Sequence, residues 1–332
     1  MKSKKSYLTL LFVMALMLIA LVGCGAKTEP TEAPASKEEA ASPDTASDAE
    51  VTSYTVEHAM GTTEIAKTPE KVVILTNEGT EALLAMGVKP IGAVKSWLGD
   101  PWYEHIQDQM EGVQVVGVES EINLEAIAAL QPDLIIGNKM RQEEHYDSLS
   151  AIAPTVFSDA LRGDWKLNFE LYSKALNLEE KGKEVISAFD QRIEGMKTEL
   201  GDQVNTEISV VRFMASDIRI YYNDTFSGVI FKQIGFKRPP AQDKEEFAAK
   251  GVTKERIPEM EGDILFYFTY ETGDGDASKI EDEWVKDPLW NNLEVVKAGK
   301  AHKVSDAIWN TAGGVIAANL LLDDLEKFFL NK

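Results

Sequence analysis

Arginine and aromatic side chains in this chain gather just behind short apolar runs. Arg212 and Phe213 close "ISVVRF", and Arg219, Tyr221 and Tyr222 crowd "IRIYYND". Trp97 follows "IGAVKS" and Arg141 follows "DLIIGNKM". "DILFYF" leads into Thr269 and Tyr270, and "AHKVSD" leads towards Trp309 and Asn310. A guanidinium is a planar fork that holds two carboxylate oxygens at once. In open α/β sheets, ligands sit beyond the carboxyl ends of the strands. If the apolar runs are strands, these side chains collect where a cleft opens, and the chemistry is capture of an anionic molecule. The candidate contacts are Trp97, Arg141, Arg162, Arg212, Arg219, Tyr222 and Trp309, with Arg162 and Trp165 at the rim. Each has a plainer reading as a packed ring or a solvated charge. Arg212 is the sharpest, because it lies inside an apolar run and an unpaired buried charge is costly. It needs an internal carboxylate or an anionic ligand as partner, and the ligand is preferred here.

Charge and motifs narrow the classes. The 332 residues carry a formal net charge of −21. That argues against nucleic acid as a general partner, since phosphate binding needs a basic face. Any anion site must be a local cluster of cations set against the global field. A surface enzyme would show a nucleophile elbow, a P-loop or a zinc-protease helix, and none is present. A binder of free metal ions would cluster histidines with acids, whereas His58, His105, His145 and His302 are scattered; no protein-held metal or cofactor is expected. "ETGDGDASK" has acids near calcium-loop spacing but lacks the required glycine and the terminal Glu, and reads as a polar surface loop.

The elements that must position these residues alternate. "KVVILT" (71–76) reads as a buried strand, Asn77 as the cap of the helix "EGTEALLAMG", and "PIGAV" as the next strand. "NLEAIAALQPDLIIG" repeats the grammar, with Asn123 as cap, Pro132 as stop and a strand over 133–136. Strands alternating with helices indicate parallel sheet and an α/β class. "NLEAIAALQPDLII" (123–136) lies over "TKERIPEMEGDILF" (253–266) without a gap, matching Asn123 with Thr253, Glu125 with Glu255 and Asp133 with Asp263. A looser pair sets "ALLAMGVKP" against "IFKQIGFKRP". Two matches in one order suggest two lobes of similar plan. Between them, after a possible cap at Asp164, a proline-free stretch carries Val185, Ile186, Phe189, Ile193, Met196 and Leu200 on one stripe, a helix that crosses from lobe to lobe.

The N-terminus is a separate matter. Lys2, Lys4 and Lys5 precede an apolar run over 8–22, and Gly23 precedes Cys24, the sole cysteine. This is the layout of a secretory signal. With no other thiol, the folded part needs no disulfide. Residues 26–50 lack large apolar side chains and cannot offset their ordering entropy, so they read as a flexible tether.

From about Tyr54 onward the chain resembles the helical-hinge (class III) substrate-binding lipoproteins of ABC importers. "NLEAIAALQPDLIIG" and "AIWNTAGGVIAANLLLDDLEKF" carry the resemblance, and "VVRF" and "RIYYND" look most like the hydroxamate and citrate–hydroxamate siderophore branch. It implies two Rossmann-like α/β lobes joined by one long linking helix. The expected segments are a lipoprotein signal peptide (1–23), a tether (24–52), an N-terminal lobe (53–165), the linking helix (166–200) and a C-terminal lobe (201–332). It implies a lipobox with lipidated Cys24 holding a monomer on the extracytoplasmic face of the membrane. It further implies delivery of a ferric siderophore to an ABC permease and its ATPase, with Glu125 and Glu255 docking onto permease arginines. Each of these two also has a structural reason, since a carboxylate favours the positive end of its helix. Haem, cobalamin and catecholate or carboxylate siderophores are the alternatives within the family.

Overall fold

The computed structural model describes residues 53–332. Cys24, the apolar leader and the whole of the tether lie outside the described residues. A hairpin of β1 (Tyr54–His58) and β2 (Gly61–Ile65) precedes the first sheet. That sheet contains β3 (Val72–Ile74), β4 (Gly92–Lys95), β5 (Gln114–Val118), β6 (Glu121–Ile122), β7 (Leu134–Asn138) and β8 (Thr155–Ser158). Their order is β6-β5-β4-β3-β7-β8, parallel except for β6. Helices α1 (Asn77–Ala85), α2 (Leu124–Ala129), α3 (Lys139–Gln142) and α4 (Tyr146–Ser150) connect them. Val72 and Ile74 face one core and Val73 and Leu75 another. Both faces of the strand are covered, which is why it reads as an unbroken apolar run.

Two helices follow, α5 (Trp165–Ala175) and α6 (Glu179–Leu200). The stretch expected as helix over 166–200 is therefore divided. Asn177 takes φ 57 between them, a left-handed turn that Asn tolerates better than most residues. α6 is the long linking helix, and Phe189, Ile193, Met196 and Leu200 form its buried stripe.

The second sheet contains β9 (Ile208–Met214), β10 (Ile218–Tyr221), β11 (Ala248–Ala249), β12 (Ile264–Tyr270) and β13 (Ala301–Lys303). Its order is β11-β10-β9-β12-β13, with β9, β12 and β13 parallel. α7 (Phe226–Ile234) follows β10; α8 (Asp276–Val285), α9 (Pro288–Asn292) and α10 (Glu294–Lys297) follow β12, and α11 (Val315–Leu330) ends the chain. α11 does not stay with the second sheet. It packs on α1 and α6; Arg192 of α6 reaches Asp323 at 2.5 Å and Glu326 at 3.1 Å. Glu81 of α1 accepts the Ala317 N–H at 2.8 Å, satisfying one of the free donors of α11's first turn.

The internal repeat is visible in hydrogen bonds. Asp133 accepts the N–H groups of Glu70 and Lys71, just before β3. Asp263 accepts the N–H of Glu207, just before β9. Each aspartate thus fastens the start of its strand to a parallel neighbour. The capping expectations fared unevenly. Asn123 caps α2 through the Ala126 N–H at 3.0 Å. Thr76, not Asn77, caps α1 through the Gly79 N–H, and Thr225 caps α7 in the same way. Asp164 and Thr253 form no such side-chain bond, and the segment after Thr253 is a 3-10 helix (Lys254–Met260) containing Pro258.

Candidate functional site

The carboxyl ends of β3, β4, β5 and β7 face those of β9 and β12 across a cleft of about 440 Å³. Trp97 is placed by the loop after β4. Ser96 N–H binds the Pro101 carbonyl and Ser96 Oγ accepts the Tyr103 N–H, so the loop folds onto itself. Gly99 makes this possible: its φ is +91, and a Cβ there would stand 2.0 Å from the Trp102 carbonyl oxygen. The Trp97 indole donates to Glu119 Oε2 at 3.1 Å. The same oxygen accepts from Asn77 Nδ2 at 2.7 Å. Glu119 Oε1 lies 3.5 Å from Arg141 Nε, and the Arg141 guanidinium stands 5.9 Å from the Trp97 ring centroid. Glu119 thus gathers three residues of this wall.

The opposite wall is built on a register. Arg212 of β9 and Arg219 of β10 are direct cross-strand partners. Like charges so placed repel, and each guanidinium has a carboxylate. Asp306 takes Arg212 in a two-pronged grip, 2.6 Å from Nε and 3.1 Å from Nη2. Asp217 takes Arg219 Nε at 2.7 Å. The Tyr221 hydroxyl accepts from Arg212 Nη1 at 3.2 Å, and the Tyr270 ring lies 4.7 Å from the Arg212 guanidinium. Burial works against the Arg212 charge, but Tyr221 and Asp306 outweigh it and the net shift is upward. Arg212 therefore has the internal carboxylate partner while still lining the cleft.

The walls already touch. The Tyr270 hydroxyl lies 3.3 Å from the Trp97 carbonyl oxygen, and Arg162 stacks 4.1 Å from the Phe247 ring. Residues 310–313 line the floor. Arg141, Arg162, Arg212, Arg219 and Lys250 all line the cleft, against the acids Glu78 and Glu119. Burial raises the Glu78 carboxyl to about 8, although hydrogen bonds from Asn168 and Tyr172 pull the other way. The cleft is a local basic patch on an acidic protein.

A family model for periplasmic binding proteins matches residues 72–306. The chain belongs to the periplasmic binding protein family. The probable siderophore-binding lipoprotein YfiY of Bacillus subtilis is 50% identical over 98% of this chain and 99% of its own. The Fe(3+)-citrate-binding protein YfmC of Bacillus subtilis is 30% identical over 82% of this chain and 84% of its own. The crystal structure of Staphylococcus aureus SirA complexed with staphyloferrin B matches with a TM-score of 0.77 and 35% identity, over 84% of this chain and 98% of that one.

For this periplasmic binding protein, the structure brings Trp97, Arg141, Arg162, Arg212 and Arg219 together and corrects two other expectations. Tyr222 points away from the cleft, because side chains alternate along a strand. Tyr221 shares the face of Arg219 and lines the cleft, whereas Tyr222 is buried in the core behind the sheet. Trp309 is fully buried against Phe231 and Phe266, with its indole N–H on Asp324 at 2.9 Å. Glu125 and Glu255 are exposed and absent from the cleft lining. Sequence reasoning missed Glu78, Glu119 and Asp306. It also missed Arg238, buried with its guanidinium on the carbonyls of Ile208, Tyr221 and Tyr222. Among the described residues, no cluster of three or more His, Cys, Asp or Glu is placed to hold a metal ion.

Proposed function

We propose that this protein captures a ferric siderophore bearing carboxylate oxygens in the inter-lobe cleft and hands it to an ABC permease. The observation that carries the reading is the convergence of four arginines and Lys250 with Trp97, Tyr221, Tyr270 and Phe247 at the strand ends of both lobes. Arg141, Arg212 and Arg219 already meet Glu119, Asp306 and Asp217, so an oxyanion would be drawn by their remaining N–H groups together with Arg162 and Lys250, and each charge-assisted hydrogen bond to it contributes about 1.5–3 kcal/mol. Similarity to a siderophore-binding lipoprotein, an Fe(3+)-citrate-binding protein and a staphyloferrin B complex supports the same chemistry. Iron folds the ligand before it binds and removes its ordering cost, so the ferric form binds more tightly than the iron-free form. Tryptophan quenching with ferric and iron-free staphyloferrin B, ferric citrate, a ferric hydroxamate and a ferric catecholate tests this. Equal affinity for ferric and iron-free forms, or preference for the catecholate, would sink it.

The surroundings of the cleft complete the proposal. The protein is held outside the cell membrane by lipid on Cys24 after removal of residues 1–23. Glu125 and Glu255, exposed near the starts of matched segments, dock the two lobes onto the permease. Replacing both with Ala should leave ligand affinity within about 2-fold and lower iron uptake by cells. Loss of binding in solution would move these residues from docking to the cleft.

A further inference from the structure

Glu78 stands in the first turn of α1, on the wall of a cleft whose other chemistry favours an anion. A second carboxylate beside Glu119 would oppose that ligand. Its Oε1 accepts two bonds from α5, from Asn168 Nδ2 at 2.6 Å and the Tyr172 hydroxyl at 3.0 Å. Oε2 receives neither bond, is not among the buried atoms lacking a partner, and opens to the cleft. We propose that Glu78 is a specificity residue that meets the ligand as a neutral acid, its Oε2–H donating a hydrogen bond to a ligand oxygen. The cleft would then select ligands presenting an acceptor at that wall and reject those presenting a donor.

The surroundings favour the acid form. The side chain is almost wholly enclosed, and burial raises its pKa to about 8. Asp164 before α5 and Glu119 after β5 add negative potential from two sides. The bonds from Asn168 and Tyr172 pull the other way, but burial outweighs them; burial also holds the Tyr172 hydroxyl well above its usual range, so it stays a protonated donor. Glu81 lies one turn further along α1, bound to His105 and the start of α11. The floor at 310–313 carries no charge. Arg141, Arg162, Arg212, Arg219 and Lys250 line the rest of the cleft. They face a bound anion, which would further favour the proton on Glu78.

This inference rests on the anionic ferric chelate proposed above. The test is affinity for ferric staphyloferrin B and ferric citrate across pH 6.5–9.5, for the wild type and for Glu78→Gln. The amide keeps an oxygen for Asn168 and Tyr172 and offers N–H to the ligand. With Glu78 titrating near 8, wild-type binding should weaken about 10-fold from pH 7 to pH 9, as the competent fraction falls. The ratio of wild-type to Glu78→Gln affinity, in which ligand speciation cancels, should therefore fall about 10-fold over the same range. A constant ratio across pH overturns the role of Glu78 and leaves the ligand reading intact. If the wild type binds neither probe at any pH, the ligand reading fails instead. The Glu78 carboxyl is then read directly in the wild type by ¹³C NMR: titration above pH 7 supports the neutral acid, and titration below about 5.5 overturns it. The same measurement decides the matter if Glu78→Gln does not fold.

Discussion

The two walls of the cleft use one scaffold grammar and opposite chemistry. In each lobe an apolar strand runs beside a parallel neighbour, an aspartate fastens its start, and a Thr-capped helix stands nearby. On the first wall, Glu119 organises Asn77, Trp97 and Arg141, and Arg141 is 40% exposed. On the second, Arg212 is 8% exposed and gripped by Asp306, which is 1% exposed. The cation of the first wall is open to solvent, and that of the second is locked in a buried ion pair. A repeated fold unit therefore does not dictate what its strand ends present. Trp97, Glu119 and Arg141 stand beyond the ends of their strands, whereas Arg212 and Arg219 are paired inside their ladder and project from one face of the sheet.

The largest effect that sharpens this contrast is Arg212→Ala. It strands Asp306 in a buried site, so stability should fall by about 3–5 kcal/mol and ligand affinity by roughly 10- to 1000-fold. Urea unfolding and tryptophan quenching measure the two losses. Arg141→Ala should weaken binding about 10- to 100-fold while moving stability by no more than about 0.5 kcal/mol, since Arg141 is itself well exposed and the buried Glu119 keeps its bonds from Asn77 and Trp97. A comparable loss of stability in both variants would erase the distinction between the walls. Glu119→Gln comes next. The amide oxygen can still accept from Asn77 and Trp97, and one negative charge leaves the cleft, so an anionic ligand should bind about 3- to 10-fold tighter. Weaker binding would mean that the charge of Glu119 is needed to hold Arg141. The smallest effects on binding belong to the residues facing away. Tyr222→Phe and Trp309→Phe should each alter affinity by less than about 2-fold. Trp309→Phe should still cost about 1–3 kcal/mol of stability, because the smaller ring leaves a cavity against Phe231 and Phe266.

The positional rule of looking at the ends of apolar runs points to Trp97, Arg141, Arg212 and Arg219, all of which line the cleft, and it fails where faces matter. Tyr221 and Tyr222 are equally aromatic and adjacent. A period of two from Arg219 would have chosen Tyr221, but that requires knowing which face of β10 opens to the cleft. Glu119 obeyed the rule, standing directly behind β5. An acid does not answer a search for cations that bind an anion, and its task is to hold Asn77, Trp97 and Arg141 in place. Trp309 lies in a π-helical turn (Ala307–Thr311), whose wider winding turns the ring into the core and leaves Asn310 to Gly313 at the floor.

The sequence by itself determined what depends on neighbours along the chain. Runs such as "VVIL" and "DLII" specify buried strands, the spacing in α6 specifies a stripe, and the matched segments specify two lobes of one plan. Only the tertiary structure decided what depends on residues far apart in the chain. Asp306 meets Arg212 across 94 positions, α11 returns to α1 through Glu81 and Ala317 across 236, and Asn168 reaches Glu78 across 90. Local pattern fixes which face of an element is apolar, because burial acts on each element's own periodicity. The partner of a buried charge is chosen by packing geometry, since Coulomb and hydrogen-bond energies depend on distance in space and not on separation in the chain.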